Sequence, residues 1–256
     1  MADAVLLSDC SILLGPYQIK RAVNQLELTA SRAELASNRM GDTAETFAPG
    51  LQQINASTSG FWASDAIASA TEIDPQVWPR IDAAVTTAVW PLTVCPPYAP
   101  AATPGADGNA CYIVQTKQFA YTLGAPHGAL APFSVSSKCY SGGFYRGTVM
   151  LPETSVSATT TGSIVQLGAV SATQKIVATL HVTAINGGSW VLTVESDNGV
   201  GFATPTTRAT FTAATTITTQ VIETVGAITD DYWRVVLTKT GGTSTTAFAA
   251  LAIANQ

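Results

Sequence analysis

The stretch Asn24–Trp62 reads NQLELTASRAELASNRMGDTAETFAPGLQQINASTSGFW. Its two ends alternate and its middle does not. In NQLELTA, Leu26, Leu28 and Ala30 fall on one side, and Gln25, Glu27 and Thr29 on the other. Period 2 is the signature of a strand with one face turned inward, because successive side chains leave a strand in opposite directions. INASTSGFWA resumes the same style. Between them Asn38–Ile54 has glycines, a proline and mixed charges, without apolar periodicity. A connection this long without its own pattern is rare in a compact domain and is commonly functional.

Outward from this stretch the chain keeps the strand style. CYIVQTKQFAYTL and FSVSSKCY follow in the first half. The second half offers KIVATLHVTAI, SWVLTVESD, TRATFTAA, TTQVIETV, YWRVVLTKT and AFAALAIA, with turn chemistry in INGG and SDNG. Six to eight short strands in about 100 residues without a helix predict a β-sandwich. The Thr/Ser-rich LPETSVSATTTGS reads as a linker, so the expected organisation is two domains, 1–150 and 151–256. One helix is expected, in EIDPQVWPRIDAAV. Asp74 caps it, Pro75 opens it, and Trp78, Ile81 and Val85 recur at helical spacing to lie across a sheet. Pro79 shortens or kinks it. The Pro-rich run from Pro91 to Pro104 leaves room for one strand near Leu92–Cys95.

Composition narrows function. The chain of 256 residues is 46% hydrophobic and only 11% charged, with a net charge of -5, where an average soluble protein is about 25% charged. No basic run is present, which argues against a protein that grips nucleic acid. The N-terminus carries Asp3 and no basic region, so a signal peptide is not expected. No apolar run approaches the ~18 residues of a membrane helix.

The chemistry-bearing residues are few. Cys10, Cys95, Cys111 and Cys139 form no C-x-x-C pair, and only His127 and His181 could join them, so neither a metal site nor a cofactor is expected. The thiols read mainly as buried and free, with disulfides as the alternative. Neither a nucleophile elbow nor a P-loop occurs, and no enzymatic constellation is expected. His127 sits in the turn-like APHGALAP. His181 sits between Thr179 and Thr183 and reads as a surface strand residue. ITDDYWRV has two readings. Asp230, Asp231 and the nearby aromatics make a carbohydrate platform or, with more weight, Trp233 anchors the core and the aspartates form a turn.

Taken together, the first-half motifs ILLGPYQIKRAVNQLELTASRAELASNRMGDTAETFAPGLQQINASTSGFW, EIDPQVWPRIDAAV and FSVSSKCYSGGFYRGTVM resemble the tail tube (major tail) proteins of long-tailed bacteriophages. The second half, around LGAVSATQKIVATLHVTAINGGSW and VGAITDDYWRVVL, is similar to segments fused in phage virion proteins.

The resemblance implies a mainly β fold, a barrel-forming tail-tube sandwich with one flanking helix, plus a C-terminal sandwich outside the tube. It implies a structural virion protein of the tail, made in the host cytoplasm. Its partners would be itself in stacked hexameric rings (or a trimeric pseudo-hexamer), other tail proteins at the tube ends, and genome DNA passing without specific binding. The C-terminal domain would touch host-surface glycans weakly. Within that frame Asn38–Leu51 becomes a ring-stacking or inter-subunit loop, with Arg39, Asp42 and Glu45 pairing with neighbours, Gly41 and Gly50 supplying bends, and Phe47 and Leu51 at its end. A carbohydrate-binding or adhesion module is the alternative reading.

Overall fold

The computed structural model describes residues 10–19, 23–37, 44, 47–61, 77–78, 89–97, 103–124 and 130–256. Most of the described chain is strand: β1 Ser11–Leu14, β2 Tyr17–Gln18, β3 Val23–Ala36, β4 Phe47–Phe61, β5 Trp90–Cys95, β6 Ala110–Leu123, β7 Pro132–Val156, β8 Thr160–Thr161, β9 Val165–Gln166, β10 Gln174–Asn186, β11 Ser189–Asp197, β12 Thr206–Thr210, β13 Thr218–Val225, β14 Tyr232–Thr240 and β15 Ser244–Asn255. The expected mainly β class is what the chain adopts. All six strands read from the second half are present, as β10 to β15.

The chain forms two compact units, and they are not the expected halves. One comprises Met1–Lys20, Trp90–Val114 and Tyr145–Gln256; the other comprises Arg21–Val89 and Gln115–Phe144. The boundary expected near residue 150 falls inside β7, whose Thr148–Val156 segment pairs with β15 through Leu251↔Thr148 to Thr245↔Val156. LPETSV is therefore strand rather than linker. Its Thr and Ser side chains suit a half-buried strand as well as they suit a loop.

The first unit is layered. Its second sheet runs β12-β11-β14-β8, with β9 also on β14. This sheet turns Trp190, Leu192, Val194, Trp233, Val235 and Leu237 onto Ile176, Ala178, Leu180, Val182 and Leu251 of β10 and β15. The opposite faces of β10 and β15 are buried too. Val177, Phe248, Ala250 and Ala252 pack with Leu13, Cys95, Cys111, Ile113, Tyr145 and Val149. A strand covered on both faces reads as a near-continuous apolar run, which accounts for AFAALAIA in β15. The INGG turn joins β10 of one sheet to β11 of the other, so it makes an arch between layers rather than a hairpin. Gly187 and Gly188 both take positive φ there, which glycine adopts without a Cβ penalty.

The second unit is built on the strand order β3-β4-β7-β6, using Pro132–Phe144 of β7 and Gln115–Leu123 of β6. Ile54, Ala56, Phe133 and Val135 are buried, in period-2 alternation along their strands. The expected helix, 72–85, lies outside the described residues except for Val77 and Trp78, which take helical geometry. Val77 is buried and Trp78 is 62% exposed. The inward residue of this turn is therefore Val77, not the Trp78 of the expected apolar stripe.

Candidate interaction surface of the β3–β4 ribbon

β3 and β4 form a long antiparallel hairpin, in register from Val23↔Gly60 to Ala36↔Phe47. On its far side β4 pairs with β7 only from Asn55↔Lys138 to Phe61↔Pro132. Among the described residues, no strand flanks β3 on its outer side, nor β4 between Phe47 and Ile54 on the side away from β3. The outer half of the hairpin is thus a two-stranded ribbon with both edges open. Every residue of β3 from Thr29 to Ala36 is exposed, so neither face is covered. Its composition explains this. Glu27, Arg32 and Glu34 are charged, and Ala30, Ala33 and Ala36 are small, so little apolar area is available to bury.

Three large apolar side chains stand on this ribbon in water. Leu51 is 85% exposed, Leu35 56% and Phe47 55%. Leu35 pairs with Ala48 and Ala36 with Phe47, so Leu35 and Phe47 both stand near the open end. Gly50 sits opposite the register shift between Arg32 and Glu34. A Cβ there would lie 2.9 Å from the Ala33 carbonyl oxygen, a close approach that only glycine permits.

The unpatterned segment is shorter than its sequence suggests, because Phe47, Gly50 and Leu51 already belong to β4. Pro49 and Gly50 lie in β4 beside the register shift between Arg32 and Glu34, an irregularity of the kind where strands accommodate both residue types. Arg39, Gly41, Asp42 and Glu45 lie outside the described residues, as does His127.

The other sequence candidates resolve as structure-holding groups. His181, read as a surface residue, is fully buried on β10. Its Nδ1 donates to the Gly15 carbonyl at 2.6 Å. Its Nε2 therefore accepts from the Thr93 hydroxyl at 2.8 Å, and the ring meets Phe248 edge-on at 5.8 Å between centroids. Burial lowers its pKa to about 4, against the counteracting Gly15 bond. The polar side of ATLHVTAI is in fact a second core face, which no single-strand pattern announces.

Trp233 is fully buried and donates its Nε1 to the Gly168 carbonyl at 2.9 Å. This is the core-anchor reading, and it removes Trp233 from any surface platform. Asp230 accepts from Ser196 at 2.6 Å and from Arg208 at 2.7 Å, and these two partners hold its carboxyl below the usual range. Arg234 pairs with Glu195 at 2.8 Å and lies 4.3 Å from the Phe202 ring centroid. None of the four cysteines is in a disulfide; Cys95 and Cys111 are buried, Cys10 and Cys139 half-buried. The neighbouring Cys111 and burial push the Cys95 thiol pKa up. Among the described residues no three His, Cys, Asp or Glu side chains converge as metal ligands.

No family model matches the chain, and no curated protein matches it in sequence. Several solved structures are similar to it at TM-scores below 0.5. One is a chain of the virion of a native gene transfer agent particle, 12% identical, covering 55% of this chain and 97% of that one, TM-score 0.39. Another is the SPP1 tail tube, 6% identical over 57% of this chain and 80% of that one, TM-score 0.42. A third is the SPP1 Dit protein, described as a hub adsorption apparatus of phages that infect Gram-positive bacteria. It is 9% identical over 96% of this chain and 99% of that one, TM-score 0.36.

Proposed function

We propose that this chain is a structural subunit of a phage tail, whose copies associate through the open edges of the ribbon into a hollow tube. The observation that carries the reading is β3 itself, fourteen residues long, open along its outer edge and bare on both faces over its outer half. A free two-stranded hairpin is marginal in water. An open edge invites pairing with another chain unless something blocks it. A ring in which each copy's edge meets its neighbour's removes both costs, because a closed barrel has no edges. The sequence resemblance to tail tube proteins supports the same reading.

In this proposal six copies make a ring and rings stack. The Arg39, Gly41, Asp42 and Glu45 turn, with Phe47, Gly50 and Leu51 of β4, contacts the adjacent ring. The genome passes through the lumen without specific binding, in keeping with a chain of net charge -5, since each fixed phosphate contact would add counterion-release affinity. The tube ends meet other tail proteins. No cofactor takes part.

Electron microscopy of the concentrated full-length protein tests this. Hollow tubes with sixfold rings are the expected result, and three chains per ring would replace the hexamer by a pseudo-hexamer. A monodisperse monomer that never polymerises, and is absent from the tail of its native particle, overturns the proposal. Deleting residues 41–46, which leaves β4 whole, tests the stacking part alone. Tubes of normal length from that variant would remove the loop from the mechanism.

A further inference from the structure

The β4–β7 ladder ends at Asn55↔Lys138, yet both strands continue. Past that pair they separate, and β7 reaches Gly142, which takes φ 79°. The separation opens a notch of about 350 Å³ within the second unit, lined among others by Gln52, Gln53, Asn55, Lys138 and Tyr140. This volume lies within the range of small-ligand sites, roughly 300–1,000 Å³.

Four of the lining side chains share one face. Asn55 and Lys138 stand opposite one another, so they project to one face, and Gln53 and Tyr140, two residues along, project to the same face. Ser31 pairs with Gln53, adding a hydroxyl beside the carboxamides; the Thr29 hydroxyl, opposite Asn55, donates to the Glu27 carboxylate at 3.2 Å. Lys117 Nζ lies 3.7 Å from the centroid of the Tyr140 ring. Among the described residues neither Lys117 nor Lys138 enters an ion pair, and no carboxylate lines the notch. This reverses the sign of the whole chain, which carries 12 Lys and Arg against 17 Asp and Glu.

We propose that this notch binds an acidic saccharide, a sugar bearing a carboxylate or a phosphate. Carboxamides offer paired donors and acceptors that match vicinal hydroxyls. The face of Tyr140 not occupied by Lys117 offers an apolar plane for sugar C–H groups, and it is 56% exposed and ready for contact. The Lys138 ammonium meets the acidic substituent as a point charge, while Lys117 holds the opposite face of the Tyr140 ring. The site goes beyond the tube reading; it borders the open β4 edge that a neighbouring copy would cover, so it is tested on unpolymerised protein.

The test is calorimetric titration of the full-length protein with four probes: a glucuronate-containing tetrasaccharide, a neutral tetrasaccharide, glucose 6-phosphate and inorganic phosphate. At least one acidic sugar is expected to bind tenfold or more tighter than the neutral one and than inorganic phosphate; which of the two acidic probes does so identifies the substituent. Lys138→Gln and Tyr140→Ala, both at exposed positions, are each expected to weaken that binding at least fivefold. Lys117→Gln serves as a second charge variant. Binding of neither acidic sugar, equal binding of the neutral sugar or of phosphate alone, or indifference to all three substitutions overturns the site. A chain that binds acidic sugar but forms no tubes refutes the tube and leaves the notch standing. Tubes without sugar binding do the reverse.

Discussion

β10 and β3 are nearly equal in length, 13 and 14 residues, and both lie in long antiparallel pairings. β10 is buried on both faces through its middle, whereas β3 is exposed on both faces over its outer half. The difference lies in what each strand carries to the layer above it. β10 presents Ile176, Val177, Leu180 and Val182, large and mostly branched, and a single charge at Lys175. β3 presents three charges and several alanines over the same span. Backbone pairing is common to both, so pairing alone does not make a core. Side-chain area does.

The contrast can be broken experimentally, and the largest effect is expected in the layered unit. Trp233→Ala removes a fully buried indole and its bond to Gly168. Urea unfolding should show a loss of about 3–5 kcal/mol. A loss below about 1 kcal/mol would mean that the β10–β14 layer is not the stabilising core.

The next effect is pH-dependent and comes from His181. Its folded pKa is about 4 and the unfolded reference is 6.5. The unfolded chain therefore binds the extra proton between these values, and stability rises with pH across that window. The contribution is fully present above pH 6.5, is lost as pH falls toward 4, and amounts to about 3 kcal/mol at most. The urea midpoint followed from pH 7 to pH 4 checks it. In His181→Gln that part of the slope should vanish.

Smaller again is Gly15→Ala. Gly15 has φ 57°, and a Cβ would come within 2.6 Å of the Trp90 ring. A loss of about 1–3 kcal/mol is expected from overpacking together with the unfavourable φ. A neutral result in the same denaturation assay would show that the β1–β2 turn is not tightly held.

The smallest expected effect on folding stability is at the ribbon. Leu51→Ser should change it by no more than about 0.5 kcal/mol, as for other exposed sites. The same variant should shorten or abolish tubes seen by electron microscopy. Wild-type tubes from Leu51→Ser would remove the apolar end of the ribbon from assembly.

Legibility in the sequence followed the range of the interaction. YWRVVLTKT announces β14 because Trp233, Val235 and Leu237 alternate with Tyr232, Arg234 and Val236 within one strand. The inward role of Trp233 was legible for the same reason. His181 was misread because Thr179 and Thr183 make its face look solvated, while the layer that covers it comes from Leu13, Cys95 and their neighbours far away in the chain. The segment LPETSV was misread as a linker because Ser and Thr serve loops and half-buried strands alike, and only the pairing of Thr148–Val156 with β15 separates the two. The notch at Asn55 and Lys138 left no local signal, since it exists only where two paired strands part.

What the sequence determined by itself is the strand: period 2, turn glycines at 187 and 188, and a composition short of charge are properties of neighbouring residues. Tertiary structure alone decided which strand faces are covered, that His181 points inward, that residues 1–20 and 90–114 share a unit with the C-terminal half, and that the ribbon keeps its edges open. The physical reason is that alternation is set by the geometry of one backbone, while burial is set by which distant segment packs against it, and no window of consecutive residues contains that segment.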